Sequence, residues 1–270
     1  MTKKIPRVGT AGWALPAPVR DAFPPAGSNL ARYAGRLDAV EINSCFHRPH
    51  RRATYERWAA SVPEHFRFAV KLPREISHDL RLAGCAAPIE RFAGEISGLG
   101  ARRGPVLVQL PPSLAFDAAV ADAFFAILAA AIGGAIVCEP RHPSWFEEAA
   151  DALLAARRVA RVAADPAPVP AAAMPGGWRG LAYFRLHGAP HIYRSGYEAD
   201  ARHAWAARIR PLAAAGAETW AIFDNTTSGR ATPDALAFRG EVGGGSPGTV
   251  TRNCPHYLVR RATAGGGQSR

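Results

Sequence analysis

The chain has 270 residues, 48% of them apolar and 20% charged, which fits the roughly 250 residues of a complete α/β barrel and excludes wholesale disorder. Two lysines open the chain with no apolar stretch behind them, so neither a secretory signal nor a membrane anchor is read, and a cytoplasmic location is expected. The formal charge of +11 admits nucleic acid as a partner, but the basic pairs Arg102-Arg103 and Arg157-Arg158 fall at expected helix ends and Arg260-Arg261 in the tail, so charge alone names no partner.

In chain order, apolar β-type runs occur at Ile5–Thr10, Ala39–Asn43, Phe66–Lys71, Val106–Leu110, Ile136–Glu139, Arg161–Ala164, Leu181–His187 and Trp220–Phe223. Helical patterns alternate with them at Asn29–Ala34, Ala53–Ala60, Pro88–Leu99, Ala118–Ala131, Trp145–Arg157, Arg202–Ala215 and Pro233–Phe238. Eight strands interleaved with seven helices predict a (β/α)8 TIM barrel. The connection from Asp165 to Arg179 is rich in proline, so an irregular loop is expected in place of the sixth helix. Expected helix starts are the Ser144/Glu147 capping box, Asp117 as a cap, and Thr232 followed by Pro233. One barrel domain is expected over 1–240, followed by a Gly-rich flexible tail over 241–270.

The first strand ends Gly9-Thr10-Ala11-Gly12-Trp13, whose two glycines are weak evidence for a dinucleotide loop, which carries three. They fit a tight turn where the backbone approaches a ligand or the next loop. The four cysteines (Cys45, Cys85, Cys138, Cys254) are dispersed, without a Cys-x-x-Cys pair, and read as isolated thiols.

Side chains alternate along a strand, so Glu41 and Asn43 share the face opposite Val40 and Ile42, and Tyr183, Arg185 and His187 the face opposite Phe184 and Leu186. Barrel sites are built at the C-terminal ends of strands. The expected mouth comprises Glu41, Asn43, Lys71, Gln109, Glu139, Arg141, Asp165, Arg185, His187, Asp224 and Asn225. Lys71 is the only lysine after the N-terminal pair, and Gln109 the only glutamine before the tail, in a chain that otherwise uses arginine and alanine heavily. Scarce residue types at strand ends mark chemistry that coding bias did not erase.

Lys71, Glu41, His187 and Glu139 are the catalytic candidates, with Lys71 as base, Schiff-base amine or anion contact. Asn43, Gln109, Arg141, Arg185, Trp13, Asp224 and Asn225 are the substrate-binding candidates, the two arginines as an anion clamp and Trp13 as a stacking surface. The leading expectation is an enzyme acting on a small anionic or carbonyl-bearing substrate. Alternatives are a metal-dependent phosphoesterase or nuclease, with a divalent ion on Glu41, Glu139, Asp165, His187 and Asp224, and a non-catalytic ligand-binding barrel. No metal-ligand motif supports a metal centre, and the four carboxylates against two arginines, a lysine and a histidine also describe a self-neutralising network.

Taken together, Gly-Thr-Ala-Gly-Trp (9–13), Val-Glu-Ile-Asn-Ser-x-Phe (40–46), Phe-Arg-Phe-Ala-Val-Lys (66–71), Gly-Pro-Val-Leu-Val-Gln-Leu-Pro-Pro (104–112), Glu-Pro-Arg-His-Pro-Ser-Trp-Phe (139–146) and Tyr-Phe-Arg-Leu-His-Gly (183–188) resemble the YecE-like family, domain of unknown function 72. The resemblance runs from about Pro6 to Gly240 and implies a TIM barrel, with recurrent polar residues at Glu41, Asn43, Lys71, Gln109, Glu139, Arg141, Arg185 and His187 but no role to transfer to them. The chain departs from the family where Ala11 replaces a common serine and Asp224 a frequent asparagine.

Overall fold

A computed structural model describes residues 5–243. Ten strand segments run as β1 (Arg7–Ala11), β2 (Ala39–Ile42), β3 (Arg67–Lys71), β4 (Arg103–Gln109), β5 (Ile136–Glu139), β6 (Val159–Arg161), β7 (Ala163–Asp165), β8 (Gly176–Gly177), β9 (Leu181–Leu186) and β10 (Glu218–Phe223). Between and after them lie α1 (Asn29–Ala34), α2 (Arg52–Ala60), α3 (Ala86–Ile96), α4 (Ala118–Ile132), α5 (Glu148–Ala156), α6 (Ala199–Ala214) and α7 (Ala231–Val242). The sheet order is β7-β9-β10-β1-β2-β3-β4-β5-β6-β8, and every pairing is parallel except the short β6/β8 contact. Segments β6 and β7 are two halves of one stave. The first pairs with β5 and the second with β9, and Val162 between them donates its N–H to the Cys138 carbonyl, so the barrel closes through this strand.

The expected strands and helices all occur, with ends shifted by a few residues, and the segment from Asp165 to Arg179 holds only a 3-10 turn (Pro170–Ala173) and β8. Two of the expected helix starts are corrected. Ser144 lies in a 3-10 turn (Pro143–Phe146), where its Oγ accepts from the Phe116 N–H, and α5 begins later, at Glu148, without a side-chain cap. Thr232 sits inside α7 and donates to the Ala14 carbonyl instead of capping. Asp117 does cap α4, accepting from the Val120 N–H at 3.0 Å. Helix α7 runs past 240 to Val242, and residues 244–270, including Cys254 and Arg260-Arg261, lie outside the described residues.

Strand parity sorts two apolar layers. Outward residues such as Val40, Ile42, Phe68, Val70, Val106, Val108 and Phe184 pack with the helices. Inward residues fill the barrel: Ala39, Ala69, Leu107, Val137, Ala160, Val162, Leu181, Tyr183, Trp220 and Ile222. Small residues make room for two large rings, Trp220 and Tyr183, stacked at 5.8 Å. At Gly104 a Cβ would sit 2.6 Å from the Trp220 ring, and at Gly9 it would sit 2.1 Å from the Ala39 carbonyl oxygen, so glycine is needed at both. Gly12, at φ 78°, donates its N–H to the Glu41 carbonyl and completes the turn after β1. Above the plugged barrel floor, the inward position one step nearer the strand C-terminus is polar on six staves (Glu41, Lys71, Gln109, Glu139, Arg185 and Asp224) and alanine on the other two (Ala11 and Ala164).

Candidate active site

The polar layer is organised around Arg185, near the end of β9 and 1% exposed. Its Nε and Nη2 donate to the two oxygens of Glu41 at 3.1 and 2.8 Å, Nη1 donates to Glu139 at 2.6 Å, and Nη2 also donates to Asp224 at 2.8 Å. Tyr183, two residues earlier on the same face, donates its phenol to Glu41 at 2.8 Å. His187, two residues later, lies between Asp224 (Nδ1 to Oδ2, 3.1 Å) and Glu139 (Nε2 to Oε1, 2.9 Å). Arg141 donates to the same Glu139 oxygen at 2.7 Å. Buried carboxylates demand such partners, because an unpaired buried charge is costly.

The proton affinities follow from this arrangement. Burial alone would raise Glu139, but Arg185, Arg141 and His187 together hold it well below the usual carboxylate range. Asp224 is likewise lowered, the opposing effect of burial being outweighed by Arg185 and the His187 hydrogen bond. Burial disfavours a charged His187, yet the Glu139 charge and the bonds from Asp224 and Glu139 raise it above its ordinary value. The carboxylates on the two ring nitrogens favour the imidazolium, against the Arg141 guanidinium 3.3 Å from Nε2. Three carboxylates then face Arg185, Arg141 and His187 in balance.

Lys71 stands outside that balance. Its Nζ lies 4.1 Å from the centroid of the Phe46 ring and makes no ion pair or hydrogen bond among the described residues. Burial, and then the Arg185 charge, lowers its proton affinity, with Glu41, Glu139 and Asp224 opposing. The self-neutralising network of carboxylates and cations therefore closes without Lys71. Beside it, the Asn43 Oδ1 is buried without a partner, and the Gln109 amide, half-buried at the end of β4, makes no hydrogen bond among the described residues. The Arg141 Nε is also buried and unpartnered.

Other expected members are placed differently. Arg185 spends four of its five N–H donors on carboxylates and is closed to solvent, so the two-arginine anion clamp reduces to Arg141, whose side chain is 19% exposed. Asp165 leaves the cluster and accepts from the Tyr197 phenol at 2.7 Å. Asn225 is fully buried, and its amide donates to the Ser195 carbonyl and to Asp234, tying the loop after β9 to α7. Trp13 packs edge-on against Trp58 at 5.1 Å and walls a cavity of about 370 Å³ beside α1 and α2, apart from the polar layer. The thiol of Cys45 donates to the Lys71 carbonyl, and burial pushes its pKa up to about 12, which makes it a structural group.

The ligand set of the metal alternative does not converge on an open point. Glu41, Glu139 and Asp224 surround the Arg185 guanidinium, which stands where a cation would, and among the described residues no three His, Cys, Asp or Glu side chains are arranged to hold an ion. A further cavity of about 450 Å³ lies between α3 and α4, lined by residues such as Leu82, Ile89, Phe124 and Ile127, and carries no such chemistry.

Two residues that the sequence did not single out belong to the mouth. Phe46 supplies the face under Lys71. Tyr193 meets the His187 ring edge-on at 5.4 Å. It does so from a left-handed backbone (φ 66°), a conformation that is costly for an aromatic residue and is found at sites where the surroundings enforce it. Only the fold brings its loop back over His187, so no local pattern announces it.

A family profile described as "Protein of unknown function DUF72" matches residues 7–256. The chain belongs to the DUF72 family. The UPF0759 protein YecE of Escherichia coli K12 is 30% identical over 171 residues, and that of E. coli O157:H7 is 29% identical over the same length; each match covers 61% of this chain and 61% of the relative. Among solved structures, a DUF72 family protein of Enterococcus faecalis superposes with a TM-score of 0.75 at 19% identity, covering 92% of this chain and 99% of that one. A DUF72 family protein of Thermotoga maritima gives 0.72 at 22% identity, covering 89% and 100%. These likenesses bear out the barrel and the family resemblance. Among the described residues no helix is long and apolar enough to cross a membrane.

Proposed function

We propose that the chain is an enzyme that uses the Lys71 amine on a small carbonyl-bearing, anionic substrate. The observation that carries this reading is the contrast between Lys71 and its surroundings. Every neighbouring carboxylate is occupied by Arg185, Arg141 or His187, while the one amine in the mouth is desolvated, lowered in proton affinity and unpaired. A neutral amine is the nucleophilic form, and burial next to another cation is a recurrent way of obtaining it near neutral pH.

In this reading the Lys71 nitrogen attacks the carbonyl carbon, and the carbonyl oxygen takes up a proton. Loss of water then leaves an iminium. His187, protonated and bonded to Glu139 and Asp224, is the group able to supply that proton as a ligand displaces one of its bonds. Arg141, held by Glu139, binds the substrate's anionic group, and the free amides of Asn43 and Gln109 orient its polar substituents. Glu41 acts through Arg185 and Tyr183, fixing the layer beneath.

Borohydride reduction of the full-length protein in the presence of a panel of 2-oxo acids and aldoses tests the reading by intact mass and peptide mapping. The expected result is a reduced adduct on Lys71 for at least one compound, absent in Lys71→Met. No adduct at Lys71 with any member, from protein that melts normally, overturns the covalent role and leaves anion binding by Lys71 and Arg141.

A further inference from the structure

Away from the polar layer, the loop after β2 brings together a serine and a histidine. Ser44 opens a 3-10 turn (Ser44–Phe46) directly after Asn43, and its Oγ lies 2.7 Å from Nε2 of His50, shortly before α2. Ser44 is exposed, whereas His50 is half-buried, its ring held edge-on by Tyr55 at 5.9 Å and by Trp58 at 5.1 Å. Burial, followed by the charge of Arg48, lowers the proton affinity of His50. Both effects favour the neutral ring, which has one nitrogen lone pair to offer. With Nε2 as that acceptor, Ser44 is the donor, and a hydroxyl bonded to a neutral, fixed imidazole is the arrangement that activates a serine nucleophile.

We propose that Ser44 and His50 form a nucleophile–base pair at the rim of the barrel mouth that cleaves carboxylic esters, an activity distinct from the chemistry at Lys71. The Ser44 proton passes to His50 as Oγ bonds to the acyl carbon. The C–O bond to the alcohol then breaks, and the alcohol leaves with that proton. Water, deprotonated by the same imidazole, releases the acid from Ser44. Among the described residues no carboxylate pairs with His50 to stabilise its charged form, so esters, whose alcohols leave readily, fit better than amides. Trp58, which touches His50, also lines the 370 Å³ cavity together with Trp13, Leu30 and the polar Ser28, Asn29, Arg57 and Ser61.

The test is covalent labelling of the full chain with diisopropyl fluorophosphate, in which Ser44 Oγ bonds to phosphorus, fluoride leaves and His50 takes the proton. The expected product is a single adduct mapped to Ser44, formed at least tenfold faster than in urea-unfolded protein and at least tenfold slower in His50→Gln, with p-nitrophenyl butyrate hydrolysis lost in Ser44→Ala. Labelling of native Ser44 no faster than in the unfolded chain, or equally fast in a folded His50→Gln, overturns the proposal. The comparison with unfolded wild type needs no variant to fold. Because the adduct lies on Ser44 and the borohydride product on Lys71, the two readings fail separately.

Discussion

Replacing Arg185 by methionine probes the layer on which the site is built. The substitution keeps much of the aliphatic bulk but removes a guanidinium that donates four hydrogen bonds to Glu41, Glu139 and Asp224, which are 0%, 1% and 8% exposed. Removing one partner of a buried ion pair costs about 3–5 kcal/mol, because the remaining charge is stranded. For a domain of this size each kcal/mol lowers Tm by about 2–4 °C, so a fall of about 6–20 °C is expected at pH 7. Arg141 and His187 still face Glu139, which places the result toward the lower half. The sign with pH is also fixed. Burial opposes ionisation of Glu139 and Asp224, and Arg185 is the largest of the effects that keep them low. Without it their folded-state proton affinities rise relative to wild type, so the variant loses less stability than wild type as pH falls, and the deficit shrinks on acidification. Thermal melts of wild type and Arg185→Met at pH 7 and pH 5 read both effects. A variant melting within about 2 °C of wild type at pH 7, or a deficit that grows at pH 5, would refute the reasoning.

Three further substitutions test other parts of the molecule. His187, raised in the folded state, contributes stability that is complete below its unfolded value of about 6.5 and is lost as pH rises through the raised value. Urea midpoints should therefore separate wild type from His187→Asn more at pH 6 than at pH 9, and an equal gap at both would contradict the charged ring. Gly9→Ala places a methyl group 2.1 Å from the Ala39 carbonyl oxygen of the neighbouring strand. Overpacking of this kind costs about 1–3 kcal/mol or more, read as a lower urea midpoint, and an unchanged midpoint would show that β1 and β2 separate without cost. Lys71→Met removes a desolvated amine that makes no ion pair or hydrogen bond among the described residues, so its urea midpoint at pH 7 should equal or exceed that of wild type; a clear loss would mean that Lys71 is held by a bond of its own.

The inward set was legible in the sequence because parity is a local property. The alternation in Val40-Glu41-Ile42-Asn43 and in Tyr183-Phe184-Arg185-Leu186-His187 assigns faces without knowledge of the partners. The scarcity of lysine likewise drew attention to Lys71, the residue left unpaired in the folded mouth. The pairing itself was not legible. Arg185 and Glu41 are 144 residues apart and meet only because the barrel closes, so the sequence could not distinguish a clamp open to ligand from the centre of an internal network. Asp165 and Asn225 were drawn away by Tyr197 and Asp234, residues in the loop after β9 and in α7 whose approach depends on how those segments return to the barrel. Ser144 looked like a helix cap because Glu147 follows at the right spacing, but the Phe116 N–H claimed its hydroxyl first. The same dependence on returning loops hid Tyr193, whereas the contact between Ser44 and His50 is set by the turn of the one loop that holds both.

The claim on which the account turns is that Lys71 is desolvated and unpaired inside a layer whose other charges cancel. The direct measurement is the proton affinity of Lys71 itself, from the pH dependence of trace acetylation at this residue in the folded protein relative to Lys3 and Lys4. The expected midpoint lies below the ordinary lysine value of about 10.4 and shifts upward when Arg185 is replaced by methionine. A midpoint at or above the ordinary value would contradict it.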